Sequence, residues 1–228
     1  MLAQSRNRIR EIDALRGLAI ILMVLFHIIV DLTDFFGYPF QYLSGFWYYE
    51  GKAAAILFMT LAGVSASLSR SPFRHGLKLI AWGMVLTAVT WLFMPATYIR
   101  FGILHFLGTS LLTWPLTDKQ KPGTLLFLAI TSMILGNFLS DITITTSWLL
   151  PLGLMPPGFS SMDYYPLLPW YGIFLIGGAA GKLFYQDHKS LWPALCPPKW
   201  LLWLGGHSLA IYLLHQPLVM AILFLLHW

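Results

Sequence analysis

Long apolar runs recur from one end of this chain to the other, separated by short polar or proline-rich connections. A helix that crosses the hydrocarbon core of a membrane needs roughly 20 predominantly apolar residues. Seven stretches meet or approach that length: residues 12–30, 52–69, 77–94, 99–116, 123–139, 167–185 and 200–226. The last is long and contains Pro217, so it is predicted to be tilted, kinked or interrupted. Short connections join these runs, which predicts an all-α, polytopic membrane helical bundle forming one domain over residues 1–228.

Composition agrees with the pattern. Hydrophobic residues make up 57% of the 228 positions and charged residues 10%, whereas soluble domains carry about 25% charged residues. The basic excess therefore points to membrane topology and not to nucleic acid. If the seven spans alternate, the N-terminal side holds Arg6, Arg8, Arg10, Arg16, Arg70, Arg74, Lys78, Lys119, Lys121, Lys182, Lys189 and Lys199, leaving only Lys52 and Arg100 opposite. Lys and Arg concentrate on the cytoplasmic side. The expected location is therefore the cytoplasmic membrane, with a cytoplasmic N-terminus and an extracytoplasmic C-terminus. No small-residue cleavage site follows the first apolar run, so it is expected to be a retained span. A single cysteine, Cys196, allows no intrachain disulfide.

Within the first span, polar residues interrupt EIDALRGLAIILMVLFHIIVDL at regular places. At about 100° per residue, Arg16 and His27 fall roughly 20° apart, and Asp13 and Asp31 share the same narrow face. With a rise of about 1.5 Å per residue, Arg16 and His27 are separated by roughly 16 Å. Taken singly, Arg16 reads as a snorkelling residue paired with Asp13, and His27 as a satisfied interior histidine. Unrelated groups need not align, however, and an aligned stripe facing a bundle interior is what a substrate passage requires. His27 and Asp31 are spaced i,i+4, so the carboxylate can orient one imidazole nitrogen and leave the other basic, as a general base needs.

Other titratable groups lie at membrane depth. His105 follows Arg100 by little more than one turn, a combination suited to an anionic or hydroxyl-rich ligand or to interfacial anchoring. Ser208, Tyr212 and His215 share a face of the last span, where Pro217 frees the carbonyl of Leu213 and Gln216 or a polar neighbour can satisfy it. DYYPLLPWYG, with Asp163 and Trp170, suits a sugar-stacking surface or an aromatic belt. The run GGAAG (177–181) reads as close helix packing. GVSAS (63–67) does not complete a nucleophile elbow. No internal repeat is present, which weighs against a transporter built from repeated halves.

REIDALRGLAIILMVLFHIIVDL, GFWYYEGKAAAILFMTLAGVSASLS, IRFGILHFLGTSLL, DYYPLLPWYGIFLIGGAAGKL and LGGHSLAIYLLHQPLV follow one another over most of the chain. Together they resemble the bacterial branch of the heparan-alpha-glucosaminide N-acetyltransferase catalytic-domain family. The opening LRG…H pattern is also similar to the acyltransferase-3 membrane proteins. The resemblance implies transfer of an acetyl group from cytoplasmic acetyl-CoA to an amino or hydroxyl group of an extracytoplasmic saccharide. It implies no metal, and leaves room for a homo-oligomer among membrane lipids. On this reading His27, Asp31 and His105 are the catalytic candidates, Arg16, Asp13 and His215 face the cofactor, and Arg100, Asp163 and Trp170 face the acceptor. In the lysosomal enzymes that define the family, the essential histidine lies in the first outer loop, whereas here residues 31–51 contain none and His27 sits in the span. A small-solute transporter or export partner using the same stripe is the alternative, and dependence on acetyl-CoA separates the two.

Overall fold

A computed structural model describes residues 9–227; Arg6 and Arg8 of the basic N-terminal cluster lie outside the described residues. The described chain forms eight α-helices: α1 (Arg10–Phe36), α2 (Gly45–Leu68), α3 (Pro72–Phe93), α4 (Ile103–Thr117), α5 (Pro122–Leu139), α6 (Leu167–Phe184), α7 (Lys199–Gly206) and α8 (Ser208–Leu226). All but α4 and α7 are long and apolar enough to cross a membrane, which makes this an all-α, multi-pass membrane protein. Backbone amides have no water to bond in hydrocarbon, so an apolar chain satisfies them within helices.

Local chemistry sets several boundaries. Glu11 and Asp13 occupy the first turn of α1, where the positive end of the helix dipole favours acids. Gly37 ends the helix in the left-handed region, at φ 72°, and donates its amide to the Leu32 carbonyl. Pro72 and Pro122 open α3 and α5, where a missing amide costs no helical bond. Helix α2 starts at Gly45, seven residues before the predicted 52. The aromatic run 46–49 tolerates helix, and Glu50 and Lys52 lie inside it instead of marking a loop.

The chain divides into two compact units, with the boundary inside α2 between Leu61 and Ala62. In the first, α1 packs along α7 and α8. Ile20, Met23 and Ala54 form its core, with Phe58, Ile211 and Tyr212 against them. The predicted last span is interrupted, but not at Pro217. Helix α8 runs through that proline, and the break falls at His207, directly after Gly205–Gly206. Glycine weakens helix, and Gly205 has a second reason to be glycine: a β-carbon there would run into the Asp13 carbonyl of α1.

In the second unit α3 packs on α4 and α5 on α6. Helix α4 has 15 residues, or about 22 Å of rise, and is buried on nearly every side, from Ile103 through Trp114. It starts at Ile103 and not at the predicted 99, because residues 97–101 are drawn into pairing with the loop ahead of α6. Met162 N donates to Thr97 O at 2.8 Å, Ser161 Oγ to Tyr98 O at 3.1 Å, and Tyr165 N to Phe101 O at 2.9 Å. The GGAAG run packs as its small residues require. Gly178 lies under the Trp114 ring, and Gly181 meets Ser67 and the Val64 carbonyl of α2. Gly63 of GVSAS takes part in the same close crossing, against the Phe174 carbonyl.

Candidate functional site

The polar stripe of α1 faces α7 and α8. Going up the helix, the Asp13 carbonyl meets Gly205, Gly17 meets the Leu201 carbonyl, and Ile20 and Met23 pack with Ile211 and Tyr212. Beyond these, His27 meets His215 and Asp31 meets Gln216. These contacts step by three or four residues, the spacing that keeps one helical face against a neighbour. The stripe is therefore turned into the protein. At its N-terminal end Arg16 Nη1 donates to Asp13 Oδ1 at 2.8 Å, an i,i+3 pair that aims the guanidinium.

At the other end the geometry departs from the expected local pair. Asp31 is 1% exposed, and its Oδ1 accepts from Gln216 Nε2 at 2.7 Å. Its Oδ2 is buried and has no partner among the described residues. Asp31 therefore orients Gln216, not His27, and Gln216 serves Asp31 and not the Leu213 carbonyl freed by Pro217. Spacing of i,i+4 permits the His27–Asp31 bond, but an amide arriving from α8 takes the carboxyl oxygen.

The imidazole whose state is determined is His215. Its Nδ1 lies 2.6 Å from the Tyr212 carbonyl. A carbonyl can only accept, so Nδ1 carries the hydrogen and the neutral ring presents a lone pair at Nε2. That Nε2 is buried without a hydrogen-bond partner among the described residues. The His27 and His215 ring centroids are 4.8 Å apart, tilted by 56°. A basic nitrogen, held in one tautomer and left unmatched beside a second imidazole, is equipped to receive a proton.

The remaining candidates lie in the second unit. His105 is in the first turn of α4, its ring against Gly83 of α3 and its Nε2 3.4 Å from Thr87 Oγ1. Its Nδ1 is buried and unmatched. Asp163 Oδ2 accepts from Ile103 N at 2.8 Å, capping α4 from a distant loop. A β-carbon at Gly102 would strike that carboxylate. Arg100 stacks between Tyr98 and Phe159, and Trp170 packs edge-on against Tyr165. Tyr164 donates its hydroxyl to the Leu150 carbonyl at 2.7 Å, and burial pushes that phenol up to about 12.

Two polar residues with buried roles were not among the sequence candidates, and a third was expected only at the Leu213 carbonyl. Glu50, in α2, has both carboxylate oxygens buried and without a partner among the described residues. The adjacent Gly51 lies against the Phe26 ring, next to His27 in sequence. Glu11, 1% exposed, accepts from Ser190 Oγ and Leu191 N, both at 2.7 Å, and so ties the segment before α7 to the start of α1. Gln216 is the third. The available signal was an acid or amide inside or bordering an apolar run, the same signal that selected Asp31.

No curated protein and no solved structure matches the chain. The family model for heparan-alpha-glucosaminide N-acetyltransferase, catalytic, matches residues 8–217 and so includes every candidate site residue named above. The match spans well over half of the chain, and the chain therefore belongs to this family of membrane acetyltransferases.

Proposed function

We propose that the chain, acting as one domain, moves an acetyl group from acetyl-CoA in the cytoplasm to an amino or hydroxyl group of a saccharide across the membrane. The family supports the acetyl group. The bias of Lys and Arg supports a cytoplasmic N-terminus and an extracytoplasmic C-terminus in the cell membrane. One observation carries the site: the buried, single-tautomer Nε2 of His215 beside His27.

In this reading His215 Nε2 takes the proton from the acceptor as its nitrogen or oxygen bonds to the acetyl carbon. The carbon–sulfur bond of the thioester breaks, and the proton passes to the departing thiolate, which returns the imidazole to its neutral form. An acceptor N–H or O–H is thus exchanged for a thiol S–H. His27 relays that proton, while Asp31, through Gln216, sets the residue next to His215 and so positions it. Arg16, aimed by Asp13, meets the phosphates of the donor, since guanidinium matches phosphate bidentately. His105 is a second proton-handling group, and Arg100, Asp163 and Trp170 serve the acceptor side.

The test is release of free CoA thiol by the purified full chain in nanodiscs, with acetyl-CoA and a panel of glucosaminide and hydroxyl acceptors. Acceptor-dependent release that saturates with acetyl-CoA is expected. His215→Ala and His27→Ala should each lower it by about 10²–10⁴, the usual worth of a general base. Folded His215→Ala protein with unchanged turnover would remove that histidine from the reaction.

A further inference from the structure

The guanidinium of Arg100 lies over two aromatic rings, and its Nε has no hydrogen-bond partner among the described residues. Its central carbon lies 4.8 Å from the Tyr98 ring centroid and 5.1 Å from that of Phe159. The Nε is buried. Asp163, in the neighbouring loop, accepts the amide of Ile103 at Oδ2. Aromatic rings hold a guanidinium through its face, whereas its N–H donors lie in the plane and suit a planar or tetrahedral oxyanion. The edge of Arg100, in the loop ahead of α4, is therefore suited to an oxyanion.

Tyr98 is also a wall of a recess of about 280 Å³, whose other walls are Met84, Thr87, Ala88 and Trp91. Four of these five residues are on α3, a helix apolar and long enough to cross the membrane. Met84 and Trp91 are more than half exposed, so the recess lies on a face that lipid covers. It is small beside the roughly 300–1,000 Å³ of pockets for whole drug-sized ligands, and suits a segment of chain. A soluble sugar would bring hydroxyls against Met84, Ala88 and Trp91, where they find no partner. An amphiphile with an anionic head matches both parts.

We propose that this is a binding site for the phosphate head of a membrane lipid, whose hydrocarbon chain lies along α3 in the recess and whose phosphate meets the edge of Arg100. Thr87, which lines the recess, is also the hydroxyl that reaches His105. With His105 handling protons, as proposed above, a saccharide linked to that phosphate is the acceptor class. That extension rests on the acetyltransferase reading. The binding itself does not, and the experiment reads binding alone.

The full chain in detergent is titrated with a long-chain polyprenyl monophosphate, with the uncharged polyprenol, and with inorganic phosphate as competitor, by microscale thermophoresis. The phosphorylated lipid should bind far more tightly than the alcohol, and inorganic phosphate should compete only weakly. Arg100→Gln should weaken binding by about tenfold or more, the scale of one lost charge-assisted hydrogen bond. Arg100→Lys, which keeps the charge without the fork, should fall between. Ala88→Phe fills the recess from an exposed position and should weaken the lipid while leaving the fold intact. Equal binding of the alcohol, unaltered affinity in Arg100→Gln, or unaltered affinity in Ala88→Phe overturns the proposal. Inorganic phosphate competing as well as the lipid makes this a free-anion site and also overturns it.

Discussion

The hydrogen bond between Gln216 and Asp31 joins α8 to α1 one residue from His215, and its worth follows from what surrounds it. Each partner has one satisfied group in the bond and one buried oxygen without a partner, Asp31 Oδ2 and Gln216 Oε1. Neither can re-pair when the other is removed. A net protein hydrogen bond is worth about 0.5–1.5 kcal/mol, and more when one member is charged. Cycles between membrane helices average lower, about 0.6 kcal/mol with a maximum near 1.7, because the reference state finds other partners. Asp31 is 1% exposed and has no alternative, which places this pair near the upper end, about 1.5 kcal/mol. A double-mutant cycle of Gln216→Ala and Asp31→Ala, followed by SDS-induced unfolding in one lipid–detergent mixture, measures it. Gln216→Ala should be the costly single change, since it leaves the whole carboxyl unsatisfied in a buried place. Once Asp31 is alanine, the same change should cost little. Additivity within about 0.5 kcal/mol would mean the two residues do not interact, and would refute the account of how α8 is held.

Three further outcomes test the second unit. Gly63→Ala drives a β-carbon into the Phe174 carbonyl and to 2.7 Å from the Gly178 amide, backbone on both sides; it should destabilise by about 1–3 kcal/mol. Gly123→Ala meets nothing within 4 Å and should hold or raise stability in the same SDS-unfolding assay. Burial lifts the Tyr164 phenol from 10.0 to about 12, so the folded state favours its neutral form. That contribution is fully present below pH 10 and lost as pH rises through about 12. The tyrosinate absorbance of the wild type minus that of Tyr164→Phe should have its midpoint near 12, and a midpoint near 10 would refute the burial argument.

Helix existence was legible because apolar runs of membrane length have few alternatives in lipid. Helix ends were less so, and for local reasons. Residues 99–102 read from sequence as a continuation of α4, but the Thr97, Tyr98 and Phe101 carbonyls accept from the loop at 161–165, and Asp163 supplies a cap from some 60 residues away in sequence. Only the folded loop makes that cap visible. Pro217 is the conspicuous helix breaker in the last run, yet the break falls at Gly205–Gly206–His207. The proline costs one hydrogen bond at a carbonyl, whereas Gly205 is where α7 presses directly on the backbone of α1.

The candidate site shows the same division. Periodicity of 3.6 residues gives each α1 side chain its azimuth, so Asp13, Arg16, His27 and Asp31 could be placed on one face from sequence, and that face meets α7 and α8. What periodicity cannot give is the axial register of the helix opposite. An i,i+4 partner is always available in sequence, which makes His27–Asp31 the natural pair to draw. The register of α8, after its break at His207, instead sets Gln216 level with Asp31 and His215 level with His27. That one offset moves the carboxyl's role from orienting a base to fixing a helix. The orienting role goes to a backbone carbonyl, Tyr212, which a side-chain motif does not reveal. In the proposed reaction it also moves the base from α1 to α8: His215, whose Nδ1 donates to the Tyr212 carbonyl, in place of His27, whose ring makes no hydrogen bond to Asp31. A substitution at His27 therefore tests the relay, and one at His215 tests the base.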